Sequence, residues 1–441
     1  MSLRYDPTGR TAAEIARSVE SGVRSGTLPP GETLPPVRAL ATTLGVSPGT
    51  VASAYKLLRQ RGVVATAGRG GTTVRGRPPL STRGAQQVPV PPGVVDLAHG
   101  GPDPALLPAL GPHLARLEPP PAGYDRGGVL PEFADAARAR LAADGVPTGA
   151  VTLSNGTLDG IERVLGAHLV AGDAVAVEDP GWGNLLDLLA ALGLRTVPVP
   201  VDSDGPSPDG LAAALRAGAR ACIVTSRAQN PTGATVTADR AALLREVLAG
   251  HPDLLLVEDD HSAELADTPL ATLAGVTASW AVLRSTSKPY GPDLRLAVLA
   301  GDETTISRVE GRMRMGAGWV STLLQQLVLS LWRDPAVADT VAAARQAYAE
   351  RREVLRGALA ERGVAAHGRT GINLWVPVPD ETAVVARLRD AGWAVAPGSV
   401  YRISTPPAVR VTIGGLPPDR SHQFADALAA ALAPLTHRHG A

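Results

Sequence analysis

Cysteine occurs once in this chain of 441 residues, at Cys222. One thiol excludes an internal disulfide and fits a reducing compartment. No uncharged apolar run reaches about eighteen residues, the length needed for a membrane span. The polar, charged N-terminus lacks a signal-peptide pattern. The expected setting is therefore the cytoplasm, with no membrane partner. Net charge is also missing: 42 Lys and Arg balance 42 Asp and Glu. The whole chain is thus no generic polyanion binder, although a local basic patch stays open. Aromatic residues make up only 3%. Lysine is nearly absent, because Lys56 and Lys288 are the only two and every other basic residue is arginine. Arginine is not deprotonated in a protein, whereas a lysine amine can lose its proton and attack an aldehyde. Lys288 is therefore a candidate for Schiff-base chemistry.

What is present describes a globular protein, with 44% apolar and 19% charged residues and length for two or three domains. Residues 1–75 read as a small domain of their own. Ile15, Val19 and Val23 recur at fours and predict an amphipathic helix over 11–25. A break at 31–36 opens a second helix, Val37 to Leu44. Gly45-Val46 is a tight turn, and Ser47 with Pro48 starts a third helix that runs to about Gln60. Two short strands around the Gly-rich tip 67–71 form a wing. The runs 34–41, 44–51, 54–58 and 68–74 closely resemble the GntR-type winged helix-turn-helix. The resemblance implies that the third helix enters a major groove of double-stranded operator DNA and that the wing tip approaches the minor groove or backbone. Its DNA-contacting positions match Arg38, Ser47, Thr50, Lys56 and Arg69. Pro48 departs from the family, which usually carries arginine there.

Residues 76–95 form a polar, proline-rich stretch that reads as a semi-extended linker. From 96 to 441 apolar strand-like runs alternate with helical patterns. That alternation predicts an α/β domain with a mostly parallel sheet covered by helices, and ligand groups at the carboxyl ends of its strands. The chemistry-bearing residues do fall after those runs. Gly156-Thr157 opens a helix and suits a phosphate. Trp182 offers a ring for stacking. Asn230, in the turn 229–233, could bond a phenolic oxygen. Glu258-Asp259-Asp260-His261 ends a buried strand with acids that need partners. Ser285-Thr286-Ser287-Lys288 supplies two serine hydroxyls and the amine, with Arg295 seven residues later.

A ligand with a phosphate, an aldehyde, a phenolic oxygen, a flat ring and a ring nitrogen satisfies all of these groups, and pyridoxal 5′-phosphate (PLP) has them. The motifs N-P-T-G (230–233) and S-x-S-K (285–288) make the region 96–441 similar to a fold-type I, class I/II aminotransferase with a smaller C-terminal α+β subdomain. The resemblance implies an internal aldimine at Lys288. It implies a phosphate held by Ser285, Ser287, Arg295 and the Gly156-Thr157 amides. It places Asp259 on the pyridine nitrogen, with Asp260 in reserve, Asn230 on the phenolic oxygen and Trp182 on the ring. Arg410 would grip a substrate carboxylate, and Tyr124 would reach the phosphate of a neighbouring subunit. His261 stands where the family usually has a tyrosine that touches the phenolic oxygen.

A GntR-type winged helix followed by an aminotransferase-like domain resembles the MocR-type transcription regulators. The resemblance implies a head-to-tail homodimer whose PLP domain senses an amino compound or PLP itself and so changes DNA reading. The alternative is a working aminotransferase with an appended DNA-binding domain. The residues around Asn373 and Tyr401 carry no recognisable specificity code.

Overall fold

In the N-terminal part, local signals place every helix. This computed structural model describes residues 7–433 apart from 26, 61–62, 67–70, 75–82, 84–89, 119–122 and 125–126. Helix α1 (Ala12–Arg24) starts with a capping box between Thr11 and Glu14. A two-residue strand β1 (Thr33–Leu34) precedes α2 (Val37–Leu44), which stops at Gly45 in the left-handed conformation. Ser47 caps α3 (Pro48–Gln60) by accepting the Thr50 amide at 3.1 Å. Strands β2 (Val64–Thr66) and β3 (Thr72–Val74) form the wing, and β1 pairs antiparallel with β3. Ile15, Val19, Leu40, Val51, Tyr55 and Leu58 fill the core of this unit. The sequence reading of 31–36 as a plain break is corrected here: Thr33 and Leu34 complete a three-stranded sheet of order β1-β3-β2.

The larger unit continues with β4 (Val95–Leu97), α4 (Gly111–Leu114), α5 (Pro131–Ala143), β5 (Ala150–Ser154), α6 (Thr157–His168), β6 (Ala174–Asp179) and α7 (Gly183–Ala191). Next come β7 (Arg195–Asp202), β8 (Gly205–Pro206), α8 (Pro208–Arg216), β9 (Ala219–Thr225), α9 (Ala238–Ala249) and β10 (Leu255–Asp260). They are followed by β11 (Ser279–Ser285), α10 (Ser287–Tyr290), β12 (Ala297–Gly301), α11 (Glu303–Met315), α12 (Thr322–Arg333) and the long α13 (Pro335–Ala360). The chain ends with β13 (Asn373–Pro377), α14 (Glu381–Asp390), β14 (Trp393–Pro397), β15 (Ala408–Thr412) and α15 (Ser421–Leu432).

Eight strands form one sheet of order β5-β12-β11-β10-β9-β6-β7-β8. Its centre, β6-β9-β10-β11, is parallel. These strands read as unbroken apolar runs because helices cover both faces. Strand β12 is inserted antiparallel to β11 and β5, so the sheet is mostly parallel rather than wholly so. A second sheet has the order β13-β15-β14-β4. Here the expected linker boundary shifts: Val95 already lies in β4 and pairs with Trp393. No helix among the described residues is long and apolar enough to cross a membrane.

One ion-pair cluster is buried where β10 and β11 end. Asp260 is fully buried and accepts from Arg227 Nε (3.0 Å) and Nη2 (2.7 Å) and from Arg284 Nε (2.9 Å). Burial pushes its carboxyl upward, but the two guanidinium groups outweigh that and hold it below the usual carboxylate range. Removing the shared acid leaves the two buried guanidinium groups only the more exposed Asp144, which lies 2.5 Å from Arg284 Nη2 and 3.6 Å from Arg227 Nη2. Asp260→Ala is therefore expected to destabilise the folded chain by about 3 kcal/mol. The check is the thermal unfolding midpoint, which should fall well below that of the parent; an unchanged midpoint would show that Asp144 alone satisfies both arginines.

Candidate functional site

The carboxyl ends of β5, β6, β9, β10 and β11 present the residues singled out above. Strand β5 ends at Ser154, and Gly156 opens α6 at φ +93° with no side chain capping the helix. The first amide groups of α6 are therefore free of a side-chain acceptor, the condition for anion binding. Arg295 closes on this corner. Its Nη2 donates to the Asn155 carbonyl at 3.3 Å, and its Nη1 to Ser287 Oγ at 3.5 Å. A Cβ on Gly156 would come within 2.4 Å of Arg295 Nη2, so only glycine permits the approach. Ser285 Oγ accepts the Ser287 amide at 3.1 Å. Gly156, Thr157, Ser285, Ser287 and Arg295 thus meet at one corner, where Arg295 is a fixed cation, while Ser287 Oγ donates to the Leu294 carbonyl at 3.0 Å.

Lys288 follows on the single-turn helix α10. Its Nζ donates to the Gly100 carbonyl. Burial, reinforced by the positive charge of Arg410, lowers the amine to about 8. An amine in that range exchanges its proton near neutrality and can act as a nucleophile.

The acids of β10 separate by face. Side chains alternate along a strand, so Asp260 turns toward its two arginines and Asp259 to the opposite side. Asp259 is 3% exposed, and its Oδ1 has no hydrogen-bond partner. Its Oδ2 lies 3.3 Å from Nδ1 of His261. The reserve position is thereby closed: both oxygens of Asp260 are taken, while Asp259 keeps one buried oxygen for a donor. His261 faces the acid, a contact that its expected place beside a phenolic oxygen does not include.

Asn230 sits in the turn after β9. Its Oδ1 accepts from Arg410 Nη1 at 3.1 Å, which leaves the Nδ2 protons for an oxygen ligand. Gln229 braces the turn through Nε2, which donates to Glu178 (3.1 Å) and to the Pro180 carbonyl (2.8 Å). Burial raises Glu178 to about 7, with Asp259 adding to the rise, although Thr225 and Gln229 bond it. Ala228, at φ +52°, holds an unusual backbone conformation between the anchored Arg227 and Gln229. Trp182 is half-buried at the end of the β6 loop. The loop is clamped, because the Gly181 amide donates to the Tyr401 carbonyl and a Cβ on Gly183 would meet the Val400 carbonyl.

Arg410, on β15, is 3% exposed. Besides Asn230 it donates to the Ala98 carbonyl, and its guanidinium stands 4.7 Å from the Tyr401 ring. No carboxylate bonds it among the described residues, and its Nε has no partner. Tyr124 is not part of this gathering. It is 93% exposed and meets Trp319 edge-on at 6.0 Å. Sequence reasoning missed the carbonyls of Ala98 and Gly100, which hold Arg410 and Lys288. The run His99-Gly100-Gly101 directly after β4 was the available signal, since a Cβ on Gly100 would press on Arg410 at 3.0 Å.

In the N-terminal unit, Arg38 on α2 and Lys56 on α3 are exposed, and Ser47 and Thr50 share a 2.9 Å hydroxyl contact at the start of α3. Val51, Ala54, Tyr55 and Leu58 turn inward, so the outer face of α3 carries Gly49, Ala52, Ser53 and Lys56. Arg69 lies outside the described residues.

Comparison with known proteins agrees with this division. Residues 11–74 match the family described as bacterial regulatory proteins, gntR family, and residues 94–428 match aminotransferase class I and II, a fold family that generally uses PLP. The chain is 41% identical over 413 residues to the vitamin B6 salvage pathway transcriptional repressor PtsJ of Salmonella typhimurium, covering 92% of this chain and 95% of that protein. It is 29% identical over 372 residues to the HTH-type pyridoxine biosynthesis transcriptional regulator PdxR of Corynebacterium glutamicum, covering 81% and 80%. Among solved structures, kynurenine aminotransferase of Pyrococcus horikoshii superposes with a TM-score of 0.69 at 21% identity, over 77% of this chain and 91% of that one, a likeness of fold alone. With both domain families in this order and a repressor matching nearly its whole length, the chain belongs to the GntR-family transcriptional regulators of the MocR type, which join a winged helix-turn-helix to a class I/II aminotransferase domain.

Proposed function

We propose that this regulator binds PLP at the carboxyl ends of β5, β10 and β11 and that filling this site changes its affinity for operator DNA. The observation that carries the reading is Asp259 Oδ1, a buried acceptor without a donor beside a neighbour whose every oxygen is satisfied. A pyridinium N–H is a donor of the right charge. When bound, PLP supplies an electrophilic aldehyde and an electron-withdrawing ring. Lys288, whose buried amine is lowered to about 8, would be the residue that meets the aldehyde. Arg295, Ser285, Ser287 and the α6 amides would hold the phosphate, Asn230 Nδ2 would donate to the phenolic oxygen, and Trp182 would cover the ring. The repressor named for vitamin B6 salvage, alike over almost the whole chain, supports a B6 compound as the signal. Arg38, Ser47, Thr50, Lys56 and Arg69 would face the operator. The working unit in this reading is a head-to-tail homodimer, in which the exposed Tyr124 reaches its partner's phosphate.

Arg410 favours a second effector. A buried guanidinium without a carboxylate partner is a place for one, so an α-amino acid would add a bidentate pair. The same contact would serve transamination, and product measurement separates the two.

The first test is an absorbance titration with PLP alongside operator binding. Lys288→Ala should abolish the visible band of protein-bound PLP and the PLP effect on DNA. Because the folded amine sits at about 8, the neutral fraction grows as pH rises through that value. Capture of PLP should therefore speed up on going from below to above about pH 8 and then level off. A pH-independent rate would remove Lys288 from the step. Deleting residues 1–75 should eliminate operator binding and leave PLP bound; retained sequence-specific binding would refute the division of labour. Arg410→Ala should weaken any amino-acid response by about tenfold or more, the value of a charge-assisted bond, and weaken PLP binding by less, through the lost bond to Asn230. Stoichiometric keto-acid formation by the parent would establish turnover.

A further inference from the structure

We propose that His261 is a positioning residue for Asp259: it fixes the carboxylate plane so that Oδ1 is presented to the ring nitrogen of PLP. The inference rests on PLP occupying this site and goes further, to the division of the two oxygens of Asp259 between a protein donor and a ligand. Period-two alternation puts residues 259 and 261 on the same side of the chain where β10 ends, with Asp260 on the other. His261 Nδ1 lies 3.3 Å from Oδ2 of Asp259, and the histidine side chain is 18% exposed against 4% for the acid. Oδ1 is the buried atom left without a partner. A carboxylate with no other side chain on it turns readily about its last torsion, because that torsion is broad. A ring nitrogen held 3.3 Å from one oxygen limits that freedom and sets the direction of the other. The imidazole is too short to replace a tyrosine hydroxyl at full reach, so the phenolic oxygen is left to Asn230, whose Nδ2 is unspent.

The test compares PLP with an analogue that carries carbon in place of the ring nitrogen. Binding of both to the full-length protein is measured by absorbance titration. His261→Ala should weaken PLP by about tenfold or more, as expected when Asp259 no longer presents Oδ1 for a charge-assisted bond to the ring nitrogen. It should leave the analogue almost unaffected, since the analogue makes no N–H bond to Asp259. His261→Asn, which restores a donor near the position of Nδ1, should recover most of the PLP affinity. In the Asp259→Ala background, His261→Ala should have no additional effect. Analogue binding also serves as the control for folding. Equal weakening of both ligands, or fully additive losses in the double variant, would overturn the proposal. A parent protein that binds neither ligand would overturn the cofactor reading, and the inference with it.

Discussion

Three consecutive buried carboxylates close strand β10, and no chain can bury three adjacent charges without compensation for each. Much of the site is arranged around that constraint. Glu258 takes hydroxyls from Ser226 (2.9 Å) and Thr272 (2.7 Å) and the Leu273 amide (3.0 Å). Asp260 takes two arginines from neighbouring strand ends. Those bonds draw the loops after β9 and β10 inward and leave Asp259 alone on the other face. Of the three, Asp259 is the acid that the protein leaves with an unpartnered buried oxygen.

Arg410 joins the two sheets of the larger unit in a similar way. It belongs to β15, yet it is bonded to the turn after β9 and to the segment after β4. Asn230, Lys288 and Arg410 therefore share one framework, in which the carbonyls of Ala98 and Gly100 are fixed points. Local conformation is set by this framework rather than by propensity. Ala228 accepts a left-handed backbone because Arg227 and Gln229 are both tied down by side-chain bonds.

Much of this was legible in the sequence wherever the signal is local. Gly45, Ser47 and Pro48 mark the turn and the start of α3 to within a residue, since caps and φ-restricted residues act on their neighbours. The strand ends carrying Asn230, Asp259 and Lys288 stood out because polar groups follow apolar runs. Non-local pairing was not legible. Thr33-Leu34 is too short and too flanked by proline to signal a strand, and its partner lies in the wing. Val95 belongs to a sheet whose other members come near the end of the chain. An apolar run also does not reveal its direction, so the reversed β12 was hidden. The choice between Asp259 and Asp260 depends on where Arg227 and Arg284 return in space, which no spacing rule encodes.

Helix α6 begins at a glycine and has no side chain to satisfy its first amides. In most helices a serine or aspartate does that work within the chain. Here an anion bound from outside would supply the missing cap, and the helix would be finished only when the ligand is in place. Binding energy and folding energy are then the same quantity at this corner. A regulator built this way registers a scarce ligand twice: in which state it adopts, and in how long the empty protein survives unfolding and proteolysis.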